Sequence, residues 1–148
     1  MTSKGLFHPN YPEKYVGNVE NITYRSSWEK RFMEFCDNNI SIMQWGSEEI
    51  HIPYLKPTTK KIHRYYPDFF IMYRNAKGEM IREIIEIKPY KESVLTKKSS
   101  TYDKVAIAIN MAKWKAAKQF CENHGMSFRV LTEKSLFRTG KPPKKEIK

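Results

Sequence analysis

Cysteine is scarce in this chain of 148 residues, and its scarcity excludes several classes of protein. There are two cysteines, Cys36 and Cys121, and neither belongs to a pair with the spacing of zinc ligands. Two thiols cannot build the framework of several disulfides that holds small secreted scaffolds together. We therefore expect both thiols to be buried in a protein of a reducing compartment.

Long apolar runs are also missing. The longest, at residues 69–73 and 84–87, are far shorter than the ~20 residues that a membrane-spanning helix needs. Residues 1–15 mix Lys, His, Asn, Pro and Glu and contain no apolar core of a signal peptide. The sequence predicts neither a membrane span nor export, and we expect the protein in a cytosol.

Acidic residues are few relative to basic ones. The chain has 16 Asp and Glu against 27 Lys and Arg, a net charge of +11, with 40% hydrophobic residues as in a folded protein. So large an excess indicates a polyanionic partner rather than solubility alone. The length suits one domain, which we place at residues 1–140, with an extended arm at 1–22 and a basic flexible tail at 141–148.

Helical periodicity begins near residue 27. It predicts a first helix over residues 27–37, and Ser26 followed by Glu29 matches a capping box. A second periodic segment predicts a helix over residues 104–124, ended by Gly125. The apolar positions that carry the first pattern are Trp28, Phe32, Phe35 and Cys36.

Strand patterns lie between and after these helices. One strand is predicted near residues 50–54, and two more, at 65–73 and 80–88, are joined by turn residues as a hairpin. A last strand is predicted at 127–131. A strand connected through a long helix to the next strand favours parallel pairing, so the sequence predicts an α/β fold of order αβββαβ with a mixed β-sheet flanked by helices.

The hairpin brings charged residues together. If its loop is centred on Lys77, Asp68 lies opposite Glu86 and both face the same side of the sheet. Two adjacent carboxylates repel unless a cation or a proton intervenes, and Lys88 falls on the same face. Oxygen ligands of this kind suit Mg²⁺ or Mn²⁺, whose remaining coordination is completed by water and substrate phosphates.

Glu29 is a third candidate carboxylate. On a helical wheel it lies at the margin of the buried stripe, from which its side chain can point along the edge of the sheet. Alternatively, Glu29 only closes the capping box with Ser26, which is the commoner use of such a residue. Both interpretations stay open.

Basic residues flank the proposed site, and a stretch without acidic residues runs from Ile50 to Pro67. We predict that they contact DNA phosphates, which supply affinity without sequence choice. For any single lysine, plain solvation of a loop is the alternative. The two groups are Lys56, Lys60, Lys61 and Arg64, and Lys91, Lys97 and Lys98.

Pro67-Asp68, followed on the partner strand by Glu86-Ile87-Lys88, resembles the signature of the PD-(D/E)xK nuclease superfamily. A wider ordered set of blocks is similar to the head completion nucleases of T4-like bacteriophages. These blocks are residues 24–30, 45–48, 52–54, 86–89, 113–117 and 128–133.

The resemblance implies a restriction-endonuclease-like fold and a metal-dependent DNA endonuclease that acts in phage head completion after DNA packaging. It implies that Asp68 and Glu86 bind Mg²⁺ or Mn²⁺, that Lys88 orients or activates the attacking water, and that Glu29 is an additional catalytic acid. The partners it implies are DNA and phage head, portal or neck proteins, in the host cytoplasm during assembly or in the virion.

Two other functions fit the same residues. One is a junction resolvase or a transposase-type nuclease subunit with this fold. The other is a structural head or neck protein that binds DNA or a portal and whose nuclease site is vestigial. All three predict DNA binding, so binding alone does not separate them.

Overall fold

The computed structural model describes residues 4–93 and 100–136; the predicted tail at 141–148 lies outside them. Short 3₁₀ turns occur at Pro12–Lys14, Val19–Asn21 and Tyr90–Glu92. The strands and helices are β1 (Gly5–Leu6), β2 (Thr23–Tyr24), α1 (Ser27–Asn38), β3 (Ile42–Ser47), β4 (Ile52–Lys56), β5 (Lys61–Tyr65), β6 (Phe69–Arg74), β7 (Met80–Ile87), α2 (Thr101–Asn123), β8 (Ser127–Leu131) and α3 (Glu133–Leu136).

The central sheet is mixed, as predicted. Its strand order is β3-β6-β7-β8, with β6 and β7 antiparallel and β7 and β8 parallel across the α2 connection. The hairpin register pairs Ile71 with Glu83, which is the register of a loop centred on Lys77. The turn forms because the Asn75 side chain accepts hydrogen bonds from the Lys77 and Glu79 N–H groups, and Gly78 supplies a φ of 81°.

The predicted order αβββαβ is confirmed for the central sheet and its helices, which follow the order α1, β3, β6, β7, α2 and β8; two further strands, β4 and β5, are inserted between β3 and β6. The alternating residues near Tyr54 belong to β4, which pairs only with β5 in a separate two-stranded sheet. Pro67 separates β5 from β6, since proline has no N–H to donate to a ladder. Glu48, with a φ of 55°, lies where the chain leaves β3 for β4.

Helix α1 covers one face of the central sheet. Ser26 caps it as predicted, since its Oγ accepts a hydrogen bond from the Glu29 N–H at 3.1 Å. The apolar side of α1 packs into a core with residues of β3, β6 and β7. That core includes Phe32, Met33, Cys36, Trp45, Phe69, Ile71, Ile85 and Ile87.

Helix α2 begins at Thr101, earlier than predicted, because Ser100 is its N-cap and accepts from the Asp103 N–H at 3.0 Å. Gly125, with a φ of 69°, follows its end as predicted. The helix packs on the β4–β5 hairpin through a second core, made of Ile52, Tyr54, Tyr65, Trp114 and Ala117.

Both cysteines are free and buried, which confirms the prediction. Among the helices in residues 4–93 and 100–136, none has the length and apolar character needed to cross a membrane.

Residues 4–22 lie against the α1 side of the molecule. Phe7 and Tyr15 are buried in the core beneath α1. The Asp37 carboxylate accepts hydrogen bonds from the Asn10 N–H at 2.7 Å and the Tyr11 N–H at 3.0 Å. The Lys14 ammonium donates to the carbonyls of Cys36, Asp37 and Asn39 near the end of α1. The predicted domain boundaries remain predictions.

Candidate active site

Asp68 and Glu86 meet where β6 begins and β7 ends. The Asp68 N–H donates to Glu86 Oε1 at 3.2 Å, and the Ile87 N–H donates to Asp68 Oδ2 at 2.7 Å. Each carboxylate is thus held by the backbone beside the other. The two side chains lie on one side of the hairpin, as the register predicted.

Burial and mutual repulsion act on both carboxyl groups. Burial, and then the charge of Glu86, raises the pKa of Asp68 well above its ordinary value. Burial also raises the pKa of Glu86, although a hydrogen bond from the Tyr65 hydroxyl at 2.8 Å and the charge of Lys88 oppose the rise. The pair therefore needs a proton or a cation to balance it.

Lys88 provides one such positive charge. Its Nζ lies 4.0 Å from Glu86 Oε2, and its side chain is 25% exposed. The Lys88 N–H donates to the Leu131 carbonyl at 2.9 Å, which keeps the backbone extended beyond β7. The Lys88 side chain therefore lies on the same face as Glu86 and is open to an incoming ligand.

Glu29 contributes to the cap of α1 and also interacts electrostatically with Asp68 and Lys88. Its Oε1 accepts a hydrogen bond from the Arg25 N–H at 3.0 Å, so its side chain does help to cap α1. Burial raises the pKa of Glu29, and the charge of Lys88 lowers it. The charge of Glu29 in turn raises the pKa of Asp68. Glu29 thus lies within electrostatic reach of the site.

Two further residues at the site were not predicted. Tyr65 donates its hydroxyl to Glu86, and the Nζ of Lys113 lies 5.5 Å from the Tyr65 ring centroid. The sequence pattern could have singled out Lys113, because Lys113 shares helical spacing with Ile109 and Ala117 on the apolar side of α2. A lysine within an apolar stripe is unusual enough to suggest a function.

The carboxylate pair suits a divalent metal. Among the residues that the structure describes, no three or more His, Cys, Asp or Glu side chains form a group that could hold a metal ion. Mg²⁺, however, binds through one or two carboxylates and leaves its other positions to water and phosphates. The buried Glu86 and the half-buried Asp68 repel each other and offer only oxygen ligands, so they fit such an ion.

Comparisons with known proteins identify the family. Residues 39–133 match the family model described as the N-terminal part of TnsA-like endonucleases. The chain belongs to the TnsA-like endonuclease family. The head completion nuclease of Enterobacteria phage T4 is 37% identical in an alignment of 146 positions that covers 92% of this chain and 95% of that protein. No solved structure gives a significant match.

Family membership confirms the predicted restriction-endonuclease-like fold and the predicted endonuclease class. The matched segment of the TnsA-like endonuclease family contains Asp68, Glu86, Lys88 and Lys113, whereas Glu29 lies outside it. The roles of these residues stay predictions.

The predicted DNA contacts of this TnsA-like endonuclease lie on two segments. Lys56 and Lys61 pair with each other at the tip of the β4–β5 hairpin. Lys97 and Lys98 lie outside the described residues. The exposed members of the predicted set are Lys60, Lys61 and Arg64 on the hairpin and Lys91 in the turn after Lys88.

Proposed function

We propose that this protein is a divalent-metal-dependent DNA endonuclease that acts in phage head completion after DNA packaging. The observation that carries the catalytic part is the Asp68 and Glu86 pair, fixed on one face with Lys88 beside it. The role in head completion is supported by similarity along nearly the full length to the T4 head completion nuclease.

Asp68 and Glu86 would hold the metal, Mg²⁺ or Mn²⁺. Bound by these two carboxylates, such a cation would supply Lewis acidity to the scissile phosphate and to a nearby water. Lys88 orients the attacking water and places positive charge where the phosphate becomes more negative in the transition state. Glu29, whose charge acts on Asp68, would accept a proton as the water attacks. The new bond would join the water oxygen to phosphorus; one P–O ester bond would break, its electron pair would pass to the leaving oxygen, and that oxygen would take a proton from solvent.

The proposal includes a setting. The enzyme acts on DNA at the filled head, in the host cytoplasm during assembly or within the virion. Head, portal or neck proteins recruit it there. The excess of basic residues supports a DNA substrate.

The test is cleavage of supercoiled plasmid with and without Mg²⁺. Wild type should nick the plasmid only with metal, and Asp68→Ala and Lys88→Ala should reduce nicking by about 100-fold or more. Glu79→Ala and Lys77→Ala are matched controls, because both residues are exposed in the hairpin turn. Absence of metal-dependent nicking by wild type favours the structural head protein with a vestigial site. Nicking that survives both site variants shows that these residues are not the catalytic ones.

The family description favours a transposase-type nuclease subunit as the second candidate. Such enzymes usually act as dimers and cut at defined ends. Light scattering of the purified protein and cleavage of unrelated plasmids separate the two functions. A monomer that nicks any plasmid supports the head completion role, and a dimer that cuts only defined ends supports the alternative.

A further inference from the structure

Positively charged side chains from separate elements extend from the carboxylate pair toward the tip of the β4–β5 hairpin. Lys113 comes from α2, Lys88 follows β7, and Lys56 ends β4. The charges of Lys88 and Lys56, after burial, lower the pKa of the Lys113 ammonium. Lys113 therefore lies within electrostatic range of both the catalytic candidate Lys88 and Lys56 of the hairpin.

Aromatic rings fix the position of Lys113. Its Nζ lies 5.5 Å from the ring centroid of Tyr65 and 5.9 Å from that of Tyr54. The hydroxyl of the same Tyr65 donates to Glu86 at 2.8 Å. One tyrosine ring thus separates Lys113 from a proposed metal ligand, and cation–π contacts hold the ammonium there.

The hairpin continues this positive surface away from the site. Side chains alternate across a strand, so Lys56 faces the same side as the buried Tyr54. Lys61 lies directly opposite Lys56 on β5. The inner face of the hairpin therefore runs from Tyr65 at the carboxylate pair to two lysines at the tip.

Nothing in the described part of the chain neutralises Lys113 with a salt bridge; the salt bridges there are Arg25–Glu48, Lys88–Glu86 and Arg129–Glu83. Its nearby acids, Glu86 and Asp68, are the proposed metal ligands. Bringing several like charges together costs free energy in the unbound protein. A polyanion laid across them recovers that cost and releases counterions.

We propose that Lys113 binds a DNA phosphate next to the one that is cleaved, and that Lys113, Lys56 and Lys61 form a track that guides one strand from the carboxylate pair to the tip of the β4–β5 hairpin, outside the part of its inner face that α2 covers. This inference rests on the proposed function, because the carboxylate pair defines the cleaved phosphate. It adds a substrate-binding residue from α2, an element that sequence analysis treated as structural.

The test measures the salt dependence of DNA binding. Fluorescence anisotropy of a labelled duplex, in EDTA and over a series of KCl concentrations, gives the slope of log affinity against log salt without any cleavage. Lys113→Ala should lower the magnitude of that slope by about 0.9 and weaken binding by about threefold to tenfold. Lys113→Arg should restore most of both.

Lys115→Ala is the matched control, because it removes the same charge from an exposed position of the same helix. It should leave the slope within error of wild type. Since Lys113 packs on tyrosine rings, thermal unfolding and circular dichroism establish that each variant is folded. Lys56→Ala tests the same track at a residue outside α2. The double variant of Lys56→Ala and Lys113→Ala should lower the magnitude of the slope by about twice as much as Lys113→Ala alone.

Equal slopes for Lys113→Ala and Lys115→Ala overturn the proposed track, even if wild type nicks plasmid with Mg²⁺. A slope of smaller magnitude for Lys113→Ala, with a wild-type slope for Lys115→Ala, supports the track. This holds even if wild type never nicks DNA and the proposed function fails. The two proposals therefore fail separately.

Discussion

The side chains of Asp68 and Glu86 are each hydrogen-bonded to the backbone of the opposite side of the hairpin. Asp68 Oδ2 accepts from the N–H of Ile87, and Glu86 Oε1 accepts from the N–H of Asp68. Their positions are therefore fixed by the hairpin itself and do not depend on a ligand. Such preorganisation benefits a metal site, but it holds two like charges together when no cation is bound.

Removing one of these charges should stabilise the metal-free protein. Asp68→Asn keeps an oxygen that can accept from Ile87 and abolishes the repulsion with Glu86. We expect the melting temperature in EDTA to rise by about 2–4 °C, equivalent to about 1 kcal/mol. Mg²⁺ should raise the melting temperature of wild type and not that of the variant. Glu79→Gln is the control, and an Asp68→Asn protein that melts below wild type in EDTA contradicts the prediction.

The same repulsion predicts how stability depends on pH. The pKa values of Asp68 and Glu86 in the folded protein lie above their ordinary values of 3.8 and 4.5. Between the ordinary and the raised pKa values, the native state therefore binds more protons than the unfolded state. The contribution of the two protonated carboxyl groups to the free energy of unfolding is lost as pH rises through the raised values. In EDTA, the excess melting temperature of Asp68→Asn over wild type should be near zero at about pH 4 and grow towards about pH 8. A difference that shrinks with rising pH is inconsistent with raised pKa values.

The sequence predicted that Asp68 and Glu86 lie together, because the register of a hairpin depends on residues close to each other along the chain. The turn at Asn75 and Gly78 sets the pairing, and period-two alternation then places Asp68 and Glu86 on one face. The parallel pairing of β7 with β8 was likewise predictable, because a long helix connects them.

The sequence alone did not predict which elements distant along the chain pair or pack with each other. The alternation at Ile52 and Tyr54 indicates a strand, but it does not say that β4 leaves the central sheet to pair with β5. Tyr65 and Lys113 reach the site only because α2 packs on that separate hairpin. Their roles depend on packing between elements distant in sequence.

The Tyr65 hydroxyl should affect metal binding through the pKa of Glu86. Its hydrogen bond lowers the pKa of Glu86, in opposition to burial. Tyr65→Phe therefore raises that pKa further, and metal binding requires the ionised carboxylate. We expect about fivefold slower nicking at neutral pH, equivalent to about 1 kcal/mol, with the rise in rate shifted to higher pH. Tyr66→Phe, at an exposed neighbouring tyrosine, is the control. A uniform loss of rate at all pH values would argue for a packing defect instead.

Asp37 should hold residues 4–22 against α1. The buried carboxylate accepts from two backbone N–H groups, of Asn10 and Tyr11, and Asp37→Ala leaves both donors unpaired. We expect a loss of about 2–3 kcal/mol in the free energy of unfolding by urea, with earlier proteolytic cleavage within residues 4–22. Glu34→Ala, exposed on the same helix, should change neither. Identical urea midpoints for the two variants would show that Asp37 does not fix this segment.

Glu29 offers a way to separate helix capping from chemistry. Its side chain accepts from the Arg25 N–H while its own N–H is bound by Ser26. Glu29→Gln keeps an oxygen for Arg25 and removes only the charge that acts on Asp68. If the Glu29 carboxylate accepts a proton from the attacking water, this variant should unfold like wild type and nick DNA about tenfold or more slowly.

Ser26→Ala makes the complementary change at the same end of α1. It removes the cap and should cost about 1 kcal/mol of stability, with nicking per folded molecule unchanged. If Ser26→Ala lowers only the stability and Glu29→Gln lowers only the nicking rate, Glu29 belongs to the active site. If Glu29→Gln nicks DNA at the wild-type rate, its role is limited to the helix cap, because the electrostatic contact with Asp68 then has no effect on the reaction.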